Sequence, residues 1–66
     1  MTVTLNGAPR ELPEGSTIGS LLDLLGAART GVAVAQNETV VQRRRFDAHA
    51  IADGDRIEII RAVAGG

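Results

Sequence analysis

Apolar and polar residues alternate at both ends of the chain. Residues 2–6 place Val3 and Leu5 on one face of a strand, and Asn6-Gly7 supplies the left-handed pair of a tight hairpin turn. The returning strand, residues 8–12, contains Pro9, which has no N–H to donate. We therefore expect this second strand at an edge of the sheet.

A helical period follows the first hairpin. Apolar residues recur at Ile18, Leu21, Leu22 and Leu25, a spacing that predicts one buried stripe on a helix. Ser16 or Thr17 can cap its start, and Gly26 or Gly31 can end it. Gly19 weakens this helix by up to about 1 kcal/mol relative to alanine. Core packing is the interpretation we favour over membrane binding, because the polar side lacks basic residues.

The middle of the chain indicates a second, weaker hairpin. Residues 32–35 are apolar without alternation, as in a strand covered on both sides or placed at the centre of a sheet. Residues 36–39 interrupt this run, and Val40-Val41 resumes it. Phe46 to Ile51 predicts a short turn or a single helical turn, with both end residues in the core.

Asp53-Gly54-Asp55 predicts a turn rather than a calcium loop, and it leads into a last strand over Arg56 to Val63. In that strand Ile57 and Ile59 share one face. The assembled order predicts an α+β fold with one main helix packed across a mixed sheet of four to five strands. If the first and last strands pair in parallel at the sheet centre, the fold is β-grasp (ubiquitin-like).

Length and composition narrow the functions that the chain can have. Its 66 residues have room for one small domain, residues 1–66, in which we expect 63–66 to be a flexible tail. The absence of cysteine excludes disulfides, thiolate metal sites and a cysteine nucleophile. The net charge of −1 gives no field that attracts nucleic acid or an anionic membrane. Without an apolar run long enough to span a membrane, we expect a cytoplasmic protein.

Two further polar features have an ordinary interpretation. Arg43-Arg44-Arg45 is interpreted first as a solvated connection, second as a docking site for an acidic patch of a partner, and third as a nucleic-acid contact. His49, the single histidine, lacks neighbouring metal ligands or a nucleophile in the sequence. We expect it to be a partly exposed structural residue, and we expect no metal site.

The chain ends on Gly65-Gly66, two residues without side chains. Such a tail fits a narrow channel, and its terminal carboxylate could attack the α-phosphorus of ATP to form an acyl adenylate. The alternative is a frayed end or a leftover linker. Ile60 places an apolar group on the polar face of the last strand. It is either an isolated surface residue or, with Ala62 and Val63, a docking patch for a partner beside the tail.

Taken together, these features resemble the ThiS family of sulfur carrier proteins in thiamine biosynthesis. The resemblance spans essentially all 66 residues and depends on the order and spacing of its motifs. The motifs are Asn6-Gly7, Gly15-Ser16-Thr17-Ile18, Leu21-Leu22, Val32-Ala33-Val34-Ala35-Gln36-Asn37, Val40-Val41, Asp53-Gly54-Asp55-Arg56-Ile57-Glu58-Ile59 and Val63-Ala64-Gly65-Gly66.

The resemblance implies a β-grasp carrier that is acted on by enzymes and binds no cofactor of its own. An E1-like adenylyltransferase (ThiF) would use ATP and magnesium to adenylate Gly66. A persulfide, from a cysteine desulfurase or a rhodanese-like protein, would then leave a thiocarboxylate at Gly66 for thiazole synthase (ThiG). Gly65 would give the clearance that presents this group, and Ala64 would belong to the same tail.

Other interpretations stay open at this point. The small subunit of molybdopterin synthase resembles this chain in fold and also ends in Gly-Gly, but such subunits are usually longer and have aromatic residues near the tail. A carrier for another thiocarboxylate pathway is a further alternative. A non-catalytic β-grasp binding module with two incidental glycines belongs to a different class.

Overall fold

The computed structural model of the protein describes residues 1–61. These residues form five β-strands, an α-helix and a short 3₁₀ helix. In chain order they are β1 (Thr2–Leu5), β2 (Ala8–Glu11), α1 (Ile18–Leu24), β3 (Val32–Gln36), β4 (Thr39–Val41), the 3₁₀ helix (Arg43–Arg45) and β5 (Arg56–Arg61). The last two residues of the predicted final strand, 62 and 63, lie outside the described residues.

The strands form one mixed sheet in the order β2-β1-β5-β3-β4. β5 lies at its centre, parallel to β1 and antiparallel to β3. The predicted parallel pairing of the first and last strands is thus confirmed, and with it the β-grasp architecture. Pro9 lies in β2 at one edge of the sheet, as its missing N–H requires.

Both hairpins turn through residues with left-handed backbone conformations. Asn6 and Gly7 have φ angles of 49° and 84°, which a two-residue turn between twisted strands demands. The second hairpin uses Asn37 and Glu38, with φ angles of 52° and 72°. Asparagine tolerates this region, whereas a glutamate there is uncommon. The register of β3 and β4 therefore imposes a conformation that the sequence of the turn does not favour.

Reciprocal hydrogen bonds cap the start of α1. The Thr17 hydroxyl accepts from the Ser20 N–H at 3.1 Å, and the Ser20 hydroxyl accepts from the Thr17 N–H at 2.8 Å. After Leu25, the left-handed Gly26 ends the helix, with a φ angle of 67°. Of the predicted alternatives, Thr17 is therefore the residue that caps the start of α1, and Gly26 is the residue that ends it.

One hydrophobic core lies between α1 and the sheet. Its buried members are Val3, Leu12, Ile18, Leu21, Leu22, Val34, Val41, Phe46, Ile51 and Ile57. The helix stripe and the inward orientation of Phe46 and Ile51 are as predicted, with Leu25 only partly buried. Residues 46–48 form the predicted turn, directly after the 3₁₀ helix.

The sequence offered two explanations for the apolar run of β3, burial on both faces or a position inside the sheet, and the second is confirmed. The strand lies inside the sheet, between β5 and β4, but only one of its faces is covered. Val34 is buried against the core, whereas Ala33 is exposed on the opposite face. The apolar run therefore reflects small alanines on an open sheet face rather than burial on both sides.

Gly19 has a packing role that its helix propensity conceals. Its N–H donates to the Phe46 carbonyl at 2.8 Å, and a Cβ at this position would collide with the Asp47 carboxylate. Arg29 holds that carboxylate over the helix at 2.6 Å, and the same guanidinium contacts Asp23 at 3.2 Å. The hydrogen bond from Arg29 lowers the pKa of Asp47. Glycine thus allows α1, the loop after it and the 46–48 turn to approach closely.

Candidate functional site

The tail residues predicted to carry the chemistry lie outside the described part of the chain: Gly66, Gly65 and Ala64, with Val63 and Ala62 of the predicted docking patch. The structure describes the strand that leads to them. Arg61, the last described residue, is still paired with Val32 of β3. Gly66 is the fifth residue after Arg61, and five residues can span at most about 18 Å when fully extended.

Ile60 lies on the open face of the sheet, opposite α1. Along β5, Ile57 is fully buried and Ile59 is half-buried, so the intervening side chains of the strand face away from the core. Ile60 is 63% exposed, and its partner across the sheet is Ala33, whose side chain is too small to cover it. Its predicted exposure is confirmed, and its docking role stays a prediction.

Asn6 extends the pairing between β1 and β5 beyond the end of β1. Its N–H donates to the Ile57 carbonyl at 2.9 Å. Its side-chain Oδ1 accepts from the Ile59 N–H at 2.8 Å, and its Nδ2 donates to the Ile59 carbonyl at 3.4 Å. The amide therefore takes the place of a backbone peptide group in the ladder, while the backbone of Asn6 already turns towards β2.

Asn37 does the same on the other side of β5. Its N–H donates to the Arg56 carbonyl at 2.7 Å, and its Oδ1 accepts from the Arg56 N–H at 2.9 Å. Both asparagines have positive φ angles and hold the central strand from opposite sides. The sequence predicts Asn6 in a tight turn and Asn37 in the break between two strand segments, whereas their second role depends on the strand order.

A hydrogen-bond network fixes the start of β5 at Asp55. Its Oδ2 accepts from the Ala52 N–H at 2.8 Å and from Gln36 Nε2 at 2.6 Å, and its Oδ1 accepts from Asn37 Nδ2 at 3.0 Å. Burial alone would raise the pKa of Asp55, but these three hydrogen bonds favour the carboxylate and lower the pKa below its usual value. The carboxylate form is therefore part of the folded structure.

The arginine run and His49 lie as predicted. Arg43, Arg44 and Arg45 are exposed on the 3₁₀ helix, and none of them belongs to an ion pair within residues 1–61. His49 is half-buried, and its carbonyl accepts from the Ile18 N–H at 3.1 Å. Its contribution here is a backbone contact to the start of α1.

Two kinds of feature are absent from residues 1–61. No group of three or more histidine, cysteine, aspartate or glutamate side chains in this part of the chain is arranged to hold a metal ion. None of its helices is long and apolar enough to cross a membrane.

A groove of about 520 Å³ lies where the two hairpin turns meet the start of β5. Within it, Glu38 Oε2 is 2.7 Å from Arg56 Nη2, so these two opposite charges compensate each other. Because β5 runs from Arg56 to Arg61, this groove is at the end of the strand remote from the tail.

Comparison with known proteins agrees with this fold. Residues 3–66 match the model of the ThiS family. The chain is 32% identical to the sulfur carrier protein ThiS of Escherichia coli over 66 residues, covering 100% of both chains. It superposes on the crystal structure of a thiamine biosynthesis protein (ThiS) from Geobacter metallireducens with a TM-score of 0.85, at 35% identity and with 100% of both chains covered.

A longer relative is also similar to the whole chain. A thiazole synthase of Magnetococcus marinus is 38% identical over 66 residues, which are 100% of this chain and 20% of that protein. The chain therefore spans about a fifth of the length of this relative.

The Asp55 network predicts a specific loss of stability in acid. Because the folded-state pKa lies below the unfolded value of about 3.9, the contribution of Asp55 is complete above about pH 5 and declines as the pH falls through the folded-state pKa. Asp55→Asn removes the carboxylate and leaves one donor unpaired, so we expect a loss on the order of 1 kcal/mol at pH 7.

Urea unfolding of the wild type and of Asp55→Asn tests this loss of stability in acid. The measurements run between about pH 2 and pH 7, a range that brackets the unfolded-state pKa of about 3.9. The stability difference should shrink as the pH falls below about 4. Glu58→Gln, which removes an exposed carboxylate from β5, the strand that follows Asp55, controls for the loss of a surface charge. A constant difference between wild type and Asp55→Asn across the whole range contradicts the assignment.

Proposed function

Because the chain belongs to the ThiS family of sulfur carrier proteins in thiamine biosynthesis, we propose that Gly66 carries sulfur as a C-terminal thiocarboxylate. The family consists of small protein carriers rather than catalysts. The observation that supports the proposal most strongly is the family match over residues 3–66, which includes the Gly65-Gly66 doublet. In this proposal the chain is a co-substrate of its partner enzymes.

The proposed loading begins with activation of the tail. An oxygen of the Gly66 carboxylate attacks the α-phosphorus of ATP in an E1-like adenylyltransferase (ThiF-like), which holds the nucleotide with magnesium. The bond between the α- and β-phosphates breaks, pyrophosphate leaves, and an acyl adenylate forms. This step turns a carboxylate, which is a poor electrophile, into a mixed anhydride.

Sulfur then replaces AMP. The terminal sulfur of a protein persulfide attacks the acyl carbon, AMP leaves, and an acyl disulfide joins the two proteins. A thiol reductant cleaves the sulfur–sulfur bond in a two-electron step, which releases the Gly66 thiocarboxylate. The chain has no cysteine, so the persulfide must come from a partner such as a cysteine desulfurase or a rhodanese-like protein.

The proposed recipient of the sulfur is thiazole synthase (ThiG). The thiazole synthase of Magnetococcus marinus, which includes a segment 38% identical to this chain, supports that pairing. Transfer from a carrier protein presents the sulfur as a nucleophile in a confined site. The two terminal glycines suit this role because they bring no side chain into the channel.

Docking of the partners is proposed at the end of β5. Ile60 is exposed on the open sheet face, one residue before Arg61, and the predicted patch continues with Ala62 and Val63. Burial of such an aliphatic side chain at an interface contributes roughly 1.5 to 3 kcal/mol. A partner that covers Ile60 would therefore hold the strand from which the tail extends.

The loading reaction predicts a defined change in mass. We expect the intact protein, incubated with an E1-like carrier adenylyltransferase, ATP, magnesium and a persulfide donor, to exchange one oxygen for one sulfur. Deletion of Gly66 should abolish the gain, whereas Ala64→Gly, which keeps the terminal doublet, should retain it. An unchanged mass under conditions that convert the Escherichia coli carrier would refute the proposal.

The docking patch predicts an effect of Ile60→Asp. The substitution places a charge where a partner is proposed to bury an aliphatic group, so adenylation should slow by at least about tenfold, equivalent to about 1.4 kcal/mol. Leu24→Asp is the matched control, because Leu24 is 56% exposed on α1, on the other side of the sheet. Pyrophosphate release measures the rate. Equal rates for the two folded variants would show that Ile60 is not part of the docking surface.

A further inference from the structure

The two edges of the described sheet differ in their capacity to accept another strand. β2 and β4 are the edge strands of residues 1–61. β2 contains Pro9, which is opposite Thr4 and leaves the outer side of this strand without one N–H donor. β4, Thr39–Val41, has no proline, and on its outer side no strand of residues 1–61 pairs with it. Unpaired N–H and carbonyl groups along a sheet edge are a template for an added strand.

The register identifies the backbone groups that β4 exposes. In a hairpin closed by a two-residue turn, the residues flanking the turn form a hydrogen-bonded pair, here Gln36 and Thr39. Pairs alternate along the strands, so the next pair, Ala35 with Val40, is not hydrogen-bonded within the hairpin. The N–H and carbonyl of Val40 therefore point away from β3. The Val40 side chain is 72% exposed.

A groove of about 390 Å³ runs beside this edge. Arg44, Arg45 and His49 line it together with β4, and the lining includes no carboxylate. An exposed strand edge, an aliphatic side chain and two arginines therefore lie together. We call the surface formed by Val40, Gln42, Arg44 and Arg45 the basic edge.

The charge of the basic edge is not compensated by nearby acids within residues 1–61. Glu38 lies beside β4, but its carboxylate is 2.7 Å from Arg56. Asp47 follows the arginine run, but its carboxylate is 2.6 Å from Arg29. The two acids closest in sequence are thus engaged with other arginines, and Arg44 and Arg45 have no ion-pair partner in the described chain.

We propose that the basic edge binds an extended acidic segment of a partner protein, which adds to the sheet as a strand beside β4. The main chain of the segment would pair with the N–H and carbonyl of Val40, and its acidic side chains would contact Arg44 and Arg45. An aliphatic residue of the segment would cover the Val40 side chain. This surface is separate from the tail chemistry, and its test does not depend on sulfur transfer.

Protein is favoured over nucleic acid as the occupant. Sequence-tolerant binding of single strands uses aromatic side chains on which bases stack. Phe46 is the single aromatic residue of the sequence, and it is buried in the core with 1% exposure. An exposed backbone edge, in contrast, pairs with an extended peptide.

Nuclear magnetic resonance of the ¹⁵N-labelled full-length protein tests the proposal. The probes are two short synthetic peptides in which valine alternates with aspartate or with lysine. We expect the aspartate peptide to shift the amide signals of Val40 and Gln42, with an affinity that falls as salt is added. The lysine peptide should cause no such shift.

Variants of the protein and of the peptide separate the contributions that charge and main-chain hydrogen bonds make to binding. Arg44→Glu combined with Arg45→Glu should weaken binding of the aspartate peptide by about tenfold or more, whereas Arg10→Glu on β2, at the opposite edge, should leave it unchanged. N-methylation of alternate peptide residues should abolish the Val40 shift without any change to the protein.

Several outcomes overturn the proposal. They are the absence of shifts with the aspartate peptide, equal binding of the lysine peptide, undiminished binding to the doubly reversed variant, and shifts centred on β2. Tighter binding of a single-stranded RNA oligonucleotide than of the aspartate peptide would assign the arginines to nucleic acid instead.

Discussion

The fold depends on the pairing of β5 with strands on both sides. β1 binds it in parallel and β3 binds it antiparallel, so the last described strand is at the centre of the sheet. Asn6 and Asn37 extend these two ladders with their side-chain amides, each from a left-handed turn position. The same two residues therefore close the hairpins and anchor the strand that leads to the tail.

This arrangement separates the folded body from the proposed chemistry. Ile57 is fully buried in the core, and β5 is paired up to Arg61, so the point from which residues 62–66 extend is fixed relative to the sheet. Activation, sulfur delivery and sulfur use are all assigned to partner enzymes in the proposed function. In the two proposals, the body contributes docking surfaces, which are Ile60 near the end of β5 and the basic edge on the far side of β3.

Local sequence patterns predicted the helix, strands and turns, whereas the strand order and the contacts between distant residues depend on long-range pairing. The Asn6-Gly7 turn, the stripe of α1 and the edge position of Pro9 each follow from a few neighbouring residues. The parallel ladder joins Leu5 to Ile57, and the sequence offered it only as a condition for the β-grasp fold. The dual roles of the asparagines, the left-handed Glu38 and the clearance at Gly19 depend on contacts that only the assembled sheet creates. For the site, the sequence predicted the exposure of Ile60, while the free edge at Val40 required the strand order.

The central claim is that this chain carries sulfur to a thiazole, and one single-turnover experiment tests it directly. The protein is loaded with isotopically labelled sulfur, freed of donor and ATP, and mixed with thiazole synthase and its other substrates. The account predicts that the label appears in the thiazole, with no more than one sulfur delivered per protein chain. Retention of the label by the protein, with none in the thiazole, would contradict the account.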